Sequence, residues 1–355
     1  MPDFATASSP PEQADRIAAT LAASYGLTVH ALARLPIGQG TVNYRADCAD
    51  RQVFVKNYPP GTDLSAEREA IALSTQALEA GIPGARVLTN QMGDVIDTSG
   101  SPTASMSVWE WMPGQVVTRL SPAQLVAAGS ALGRIHALFA NHPTPASAAA
   151  PTVERWLGID IDGLTTTIDQ LLDIITGRSR AGAADAFDVD AQRTLLERRS
   201  MIAYIPGLLA SLPVDLTVQV VHGDYSPVNL LFTGERLSAV LDFRPPDPFL
   251  LAYDLGRMAF YPNTVTGEGW LDAAATFIGA YRKAHPEVAD VDVRACGRVA
   301  LLQLLKSLYG VKQHYLKPGL VQADLDAFWL TRHRAVSVLL SELPATDTLL
   351  TELAD

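Results

Sequence analysis

The segment from residue 216 to residue 243 constrains the fold of this 355-residue chain more than any other part of the sequence. Three apolar, partly β-branched runs predict strands there, at residues 216–221, 230–232 and 237–241. The loop after the first run begins His222-Gly223-Asp224, and the turn between the last two runs is Thr233-Gly234-Glu235. The segment therefore predicts a strand, a tight loop and a β-hairpin, and the hairpin ends on Asp242.

Three polar side chains lie at the ends of these predicted strands: Asp224, Asn229 and Asp242. An Asp on such a loop can accept the proton of a hydroxyl group, and an Asn five residues later can hold a metal ion on phosphates. A second carboxylate after the hairpin suits the main Mg²⁺ ligand, because that ion bridges the β- and γ-phosphates. The spacing predicts a phosphoryl-transfer site with Asp224 as the general base and with Asn229 and Asp242 as Mg²⁺ ligands.

These residues resemble the signature of the aminoglycoside phosphotransferase and choline kinase family of small-molecule kinases. The matching motifs are His222-Gly223-Asp224, Asn229, Asp242-Phe243, Asp247-Pro248 and Tyr253-Asp254-Leu255. Upstream, Ile37 to Arg45 is similar to the family's glycine-rich phosphate loop, and Trp109 to Gly114 is similar to its interlobe hinge. The resemblance spans about residues 25–260.

The resemblance implies an α+β, bilobal protein-kinase-like fold. Its N-terminal lobe would be an antiparallel sheet plus a helix, and its C-terminal lobe would be mostly helical and carry the catalytic hairpin. We place the nucleotide-binding lobe at residues 1–112 and the catalytic and substrate-binding lobe at residues 113–355. Residues 1–12 are rich in Pro, Ser and Ala, which predicts disorder.

The predicted phosphate-binding residues are Gly38, Gly40, Thr41 and Lys56. The glycines let a turn approach phosphate oxygens closely, and Thr41 or backbone amides can hydrogen-bond to them. Lys56 follows in an apolar strand and is the only lysine in the first 282 residues. A compact ammonium group suits the α- and β-phosphates, and the alternative is an edge-strand lysine that reaches water.

A kinase lysine needs a carboxylate that orients it, and a predicted helix at residues 64–80 offers Glu67 and Glu69. Side chains two positions apart on a helix cannot face the same way. The spacing of Glu69 from Leu73 and Leu78 puts it near the apolar stripe, whereas Glu67 is placed for solvent. We therefore predict Glu69 as the partner of Lys56. The alternative is that both acids are solvated and are favoured by the helix dipole.

The resemblance also implies how a nucleoside triphosphate base is read, through backbone groups of Glu110 and Met112. Trp109 would guard the base pocket, at a position where smaller residues are common in the family. A bulky indole there would narrow the pocket and alter the choice between ATP and GTP as phosphoryl donor. Arg244 also departs from the family pattern, and it can pair with Asp247 or touch phosphate or acceptor.

Composition limits the class of protein. Hydrophobic residues make up 48% of the chain and charged residues 18%, which predicts a globular protein. Cys48 and Cys296 are too few for a disulfide framework or a metal site. Neither a signal peptide nor a run of eighteen apolar residues is recognisable, so we expect a cytoplasmic protein that does not bind membranes. The net charge of −11 argues against a nucleic-acid partner and mildly favours a cationic small substrate.

The helical additions after the hinge are expected to form the acceptor pocket, since they differ most between small-molecule kinases. The candidate lining residues opposite Asp224 are Tyr261, Trp270 and Asp272. The family resemblance, the acidic chain and the long helical additions together favour a sugar-containing antibiotic, of aminoglycoside or nucleoside type, and a role in resistance. We expect His136 to be structural and Asp254 to brace the catalytic loop.

Other functions have the same motifs. A metabolic kinase acting on homoserine, a choline-like alcohol or a hexosamine remains open. A protein kinase is disfavoured, because the twelve residues from Asp242 to Asp254 leave no room for an activation segment that docks a peptide. A non-catalytic, nucleotide-binding pseudokinase would lack one of the residues Lys56, Asp224, Asn229 and Asp242, and all four are present.

Overall fold

The computed structural model describes residues 11–35, 41–99, 105–143, 149–316 and 322–355. The predicted phosphate-binding Gly38 and Gly40 lie outside these ranges, as do residues 1–10 of the segment predicted to be disordered. The first helix begins at Pro11 and so includes the last two residues of that segment. The described residues form two compact units. One comprises those up to Val117 together with Val228–Pro246, and the other comprises Thr118–Pro227 and Asp247–Asp355.

The described strands are β1 (Val29–Leu35), β2 (Val42–Cys48), β3 (Gln52–Tyr58), β4 (Val87–Leu88), β5 (Ser105–Glu110), β6 (Gln115–Val116), β7 (Val218–Gln219), β8 (Leu230–Thr233), β9 (Arg236–Val240) and β10 (Phe249–Leu250). The helices are α1 (Pro11–Tyr25), α2 (Leu64–Glu79), α3 (Pro122–Phe139), α4 (Ala149–Leu157), α5 (Ile161–Arg180), α6 (Ala186–Met201), α7 (Ile205–Ala210), α8 (Leu251–Ala259), α9 (Pro262–Val265), α10 (Trp270–Ala284), α11 (Asp290–Lys306), α12 (Val311–Leu316), α13 (Gln322–Ser341) and α14 (Leu343–Ala354). Short 3₁₀ turns occur at Ile202–Tyr204 and Pro227–Asn229. Within the described ranges, no helix has the length and apolar character needed to cross a membrane.

The first unit is built on a five-stranded antiparallel sheet with the order β1-β2-β3-β5-β4. Alternation along β3 puts Val53 and Val55 on one face, where they pack with Ile17 and Leu21 of α1. Lys56 points the other way, towards α2. The antiparallel sheet of this unit and the mostly helical second unit confirm the predicted α+β class.

The predicted hairpin forms as β8 and β9, and β6 adds a third antiparallel strand. The Val240 N–H also donates to the Pro83 carbonyl at 2.8 Å. These bonds join Val228–Pro246 to the first unit, although the boundary predicted after residue 112 had placed the hairpin in the C-terminal lobe. The physical reason is that backbone groups at a strand edge require partners, and β6, just after the predicted boundary, supplies them.

Close helix packing organises the second unit around α3 and α10. A Cβ atom on Gly129 would lie 2.3 Å from the Phe277 carbonyl oxygen, and one on Gly133 would lie 2.6 Å from that of Tyr281. The two glycines are four positions apart, so they lie on one face of α3 and let the helices approach closely. Gly256 permits the same approach of α8 to α11, since a Cβ there would lie 2.1 Å from the Cys296 carbonyl oxygen.

The strand predicted before the loop is shorter than expected. Only Val218 and Gln219 are in strand conformation, paired with β10 in a two-stranded sheet. This pairing and the packing of α8 position the segment that begins at His222.

Candidate active site

The open end of the hairpin holds two of the predicted site residues. Asn229 ends the 3₁₀ turn before β8, and Asp242 lies just after β9. The Leu241 N–H donates to the Asn229 carbonyl at 2.9 Å, which ties the two segments together. The structure therefore brings Asn229 and Asp242 to the same end of the hairpin.

Asp242 has an unusual backbone conformation. Its φ of 62° makes it the one non-glycine residue in the described part of the chain with a positive φ. The left-handed region costs such a residue about 1–3 kcal/mol, and residues held there cluster at functional sites. The side chain is 55% exposed, and its Oδ1 lies 3.1 Å from Nζ of Lys56. The strained backbone thus belongs to a residue whose carboxylate is exposed and lies beside a cation.

Lys56 forms a second ion pair, with Glu67 of α2, at 3.3 Å from Nζ to Oε2. Glu69, predicted as its partner, is exposed, and that prediction was wrong. The buried stripe of α2 includes the small residues Ala70, Ser74 and Ala77. Glu67 lies three positions before Ala70 and seven before Ser74, so it shares their face of the helix. The prediction had placed the buried face by the large apolar residues alone.

Neighbouring groups favour the charged form of Lys56. Burial lowers the pKa of the ammonium group, but Asp242, Tyr58 and Glu67 together raise it by more. The net pKa therefore lies above the ordinary value. Lys56 is therefore a cation at neutral pH, as binding to phosphate oxygens requires. Of the predicted phosphate-binding residues in the glycine-rich loop, Thr41 lies within the described ranges. Its hydroxyl group donates to Asn43 Oδ1 at 3.0 Å.

In the second unit, Asp254 of α8 accepts a hydrogen bond from the backbone of the loop before the hairpin. The Gly223 N–H, on a backbone with φ of 82°, donates to Asp254 Oδ2 at 3.0 Å. His136 Nε2 lies 3.5 Å from the same oxygen, and its Nδ1 lies 2.9 Å from the Tyr281 hydroxyl. His136 and Asp254 are fully buried, so the predicted structural histidine and the predicted brace are both confirmed.

The carboxylate of Asp254 stays ionised despite this burial. Desolvation raises its pKa, but the hydrogen bond and charge of His136, the charge of His222 and the Gly223 N–H lower it, and the net pKa is below the ordinary value. A charged acceptor makes a stronger hydrogen bond to the backbone of the loop than a neutral one. The loop conformation therefore depends on a buried charge.

The predicted base, Asp224, is paired with a residue that the motif had not suggested. Nη2 of Arg257, on α8, donates to Asp224 Oδ1, and both side chains are 22% exposed. Burial lowers the pKa of Arg257, but Tyr253, Asp224 and Asp254 raise it, and the net shift is upward. Arg257 follows Asp254 by three residues, so the helical spacing was a usable signal that both reach the loop.

The predicted hinge residues lie at the end of β5 and just beyond it. Trp109 is half-buried, and its Nε1 donates to the Ser107 hydroxyl at 2.9 Å. The Glu110 N–H donates to the Arg86 carbonyl at 2.9 Å. The backbone group of Glu110 that would contact a nucleotide base is therefore its carbonyl. Met112 follows in an irregular segment. The predicted roles of these residues in base recognition stay predictions.

The three predicted acceptor residues do not share one environment. Tyr261 is buried, and desolvation raises its pKa although the charges of Arg257 and Arg332 lower it. The charge of Asp224 also raises this pKa, so Tyr261 lies near Asp224. Trp270 and Asp272 instead line a separate surface cavity of about 260 Å³ with Arg119. The structure therefore brings Tyr261 to Asp224, and it gives Trp270 and Asp272 a different position.

The donors at the hairpin end fit a hard divalent cation. A carboxylate and an amide offer oxygen ligands, and Mg²⁺ commonly takes one or two protein ligands and completes its shell with water and substrate phosphates. No cluster of three or more His, Cys, Asp or Glu suited to a metal occurs in the described ranges. An ion here would thus depend on Asn229, Asp242 and the nucleotide.

The fold and these residues define a small-molecule kinase of the protein-kinase-like type. The model of the phosphotransferase enzyme family matches residues 31–291, and the chain belongs to this family. A homoserine kinase of Parvibaculum lavamentivorans is 25% identical over 276 residues, which cover 75% of this chain and 77% of that protein.

Two solved structures have the same fold. Spectinomycin phosphotransferase in complex with ADP and spectinomycin has a TM-score of 0.62 at 14% identity and covers 93% of this chain and 100% of its own. An amicoumacin kinase in complex with AMP-PNP and Ca²⁺ has a TM-score of 0.55 at 14% identity and covers 93% and 90%. The predicted family, fold class and kinase activity are thus confirmed.

Proposed function

We propose that this kinase transfers the γ-phosphoryl group of a nucleoside triphosphate to a hydroxyl group of a small molecule. The observation that carries the proposal is Lys56, which contacts both Glu67 of α2 and Asp242 of the hairpin end. Such a lysine, oriented by one carboxylate beside a second, is the arrangement that kinases use to hold nucleotide phosphates.

Asp224 acts as the base in this proposal. The acceptor hydroxyl oxygen bonds to the γ-phosphorus, the bond from that phosphorus to the β–γ bridging oxygen breaks with its electron pair leaving on the diphosphate, and the hydroxyl proton passes to Asp224. Arg257 donates a hydrogen bond to Asp224 and orients its carboxylate before the acceptor arrives.

Asn229 and Asp242 would hold Mg²⁺, which neutralises phosphate charge when bound. The Ca²⁺ and AMP-PNP bound to the amicoumacin kinase support the use of a nucleotide and a divalent cation. The donor is ATP or GTP. Trp109 beside Glu110 is the residue through which we expect the choice between them to be made.

For the acceptor, the sequence prediction was a sugar-containing antibiotic with a role in resistance, and the likeness to spectinomycin phosphotransferase supports it. A hydroxylated amino acid is the second candidate, because the homoserine kinase matches over three quarters of the chain. The expected cytoplasmic location and the absence of nucleic-acid and membrane partners stay predictions.

A phosphate-transfer screen tests the proposal. The purified chain is incubated with Mg²⁺, γ-labelled ATP or GTP, and a panel of antibiotics, amino alcohols, hydroxy acids and hexosamines. We expect label to appear on at least one acceptor, and Asp224→Asn to lose it. A chain that binds nucleotide but neither hydrolyses it slowly nor labels any acceptor would point to the pseudokinase.

A further inference from the structure

Two arginines of the second unit lie close to each other, one half-buried and paired with the predicted base and one buried, and the phosphoryl-transfer motif does not explain the buried one. Arg257 of α8 pairs with Asp224, and its charge is close enough to Arg332 of α13 to lower the pKa of Arg332. We call the following residues the arginine cluster: Arg257, Arg332, Tyr253, Tyr261, Tyr309 and Phe328.

Arg332 is a buried arginine with polar atoms that lack a hydrogen-bond partner among the described residues. Only 7% of the residue is exposed, and its Nε and Nη2 atoms are buried with no hydrogen-bond partner among the described residues. Its guanidinium carbon lies 5.1 Å from the ring centroid of Phe328, whose ring meets Tyr309 edge to face. A cation–π contact compensates only part of the cost of burying the charge.

The charge balance of the cluster is positive. Desolvation and the charge of Arg257 lower the pKa of Arg332 to about 10, and the groups that oppose this shift are Tyr261, Tyr253 and Tyr309. Phenols are neutral at pH 7, and no carboxylate is among these groups. Asp224 is the one carboxylate that forms an ion pair with either guanidinium in the described ranges. Arg257 therefore has the charges of Asp224 and Asp254 close by, whereas Arg332 forms no ion pair with a carboxylate in the described ranges.

We propose that the acceptor of the phosphoryl group carries a carboxylate, and that Arg332 binds this carboxylate while Asp224 receives the proton of the acceptor hydroxyl group. A planar carboxylate can accept hydrogen bonds from the unpartnered donors of Arg332 and supply the missing negative charge. This inference rests on the proposed function and identifies its substrate class as small hydroxy acids. The local charges thus favour an anionic group on the substrate, whereas the net charge of −11 favoured a cationic one.

The first test compares matched acceptors. Hydroxy acids such as L-homoserine, L-serine and 4-hydroxybutyrate are each assayed next to the corresponding amide, which keeps the hydroxyl group and removes the charge. We expect the chain to phosphorylate at least one acid with a kcat/KM about 100-fold above that of its amide, as loss of a buried charge pair predicts. A chain that prefers amides, choline or aminoglycosides would overturn the inference and leave the proposed function intact.

Variants attribute the selectivity to one residue. Arg332→Met should reduce the acid-to-amide ratio to within a few-fold of one, and Arg332→Lys should retain part of it. Arg334→Met is the matched control, because Arg334 is an exposed neighbour on the same helix and its loss changes the net charge equally. The ratio should survive in that control. A ratio that also survives in Arg332→Met would overturn the assignment.

A binding measurement covers the case in which no acceptor turns over. The melting temperature of the full chain is recorded with each acid and each amide, without nucleotide. We expect at least one acid to raise the Tm of the parent more than its amide does, and Arg332→Met to abolish the difference while melting no lower than the parent. Equal shifts for every acid and amide pair, or a lower Tm of Arg332→Met with no change in selectivity, would make Arg332 a structural residue. Failure of the proposed function would appear separately, as absent Mg·NTP hydrolysis.

Discussion

At the scale of single residues, Lys56 is held between two carboxylates of the first unit, with Nζ 3.3 Å from Glu67 and 3.1 Å from Asp242. The two contacts are not equivalent. Glu67 is three-quarters buried on α2, whereas Asp242 is more than half exposed. We expect Glu67 to keep its contact when nucleotide binds, and Asp242 to exchange Lys56 for a metal ion.

The adjacent acids Glu67 and Glu69 give a matched pair of variants. We predict that Glu67→Gln lowers kcat about 10- to 100-fold, the usual effect of losing an orienting partner, whereas Glu69→Gln stays near the parent. Lys56→Ala should lower kcat about 10²- to 10³-fold. Steady-state kinetics with one acceptor measures all three. A loss confined to Glu69→Gln would reverse the assignment.

The positive φ of Asp242 makes a stability prediction. Glycine adopts φ of 62° without strain, so Asp242→Gly should be about 1 kcal/mol more stable than Asp242→Ala in urea unfolding. Both variants should lose Mg²⁺-dependent nucleotide binding in calorimetry, because both lack the carboxylate. If the alanine variant were the more stable one, the backbone of Asp242 would not be strained.

At the scale of elements, α8 links the loop to the helical core. Its Asp254 accepts from the Gly223 N–H, its Arg257 donates to Asp224, and its Gly256 lies against α11. The position of the predicted base is therefore determined by helix packing as well as by the loop. The close contact between α3 and α10 belongs to the same packed core.

Glycine substitutions test this packing. A Cβ atom on Gly133 of α3 would lie 2.6 Å from a backbone oxygen, so Gly133→Ala should destabilise the second unit by about 1–3 kcal/mol. Gly279 of α10 has nothing within 4 Å of the corresponding position, and Gly279→Ala should stabilise the helix by about 0.5–1 kcal/mol. Thermal unfolding compares the two. Equal effects would mean that the contact between α3 and α10 is looser than described.

At the scale of the whole molecule, the fold class and the placement of Asn229 and Asp242 at one end of the hairpin were predictable, because one short segment carries local strand and turn signals. Glu67 was missed because a stripe of small residues lines its face of α2. Arg332 could not be predicted at all, because its importance depends on how α13 packs in the second unit, and helical periodicity does not specify that packing. The proposed substrate class therefore rests on the packing around Arg332 and not on the motif.

One measurement tests the central claim most directly: transfer of labelled γ-phosphate from Mg·ATP or Mg·GTP to an acceptor by the parent chain and by Asp224→Asn. The account predicts that the variant folds and binds nucleotide as the parent does, and that its kcat falls about 10²- to 10⁴-fold, as loss of a positioned general base requires. Turnover of Asp224→Asn equal to that of the parent, with the same acceptor and the same nucleotide affinity, would contradict it.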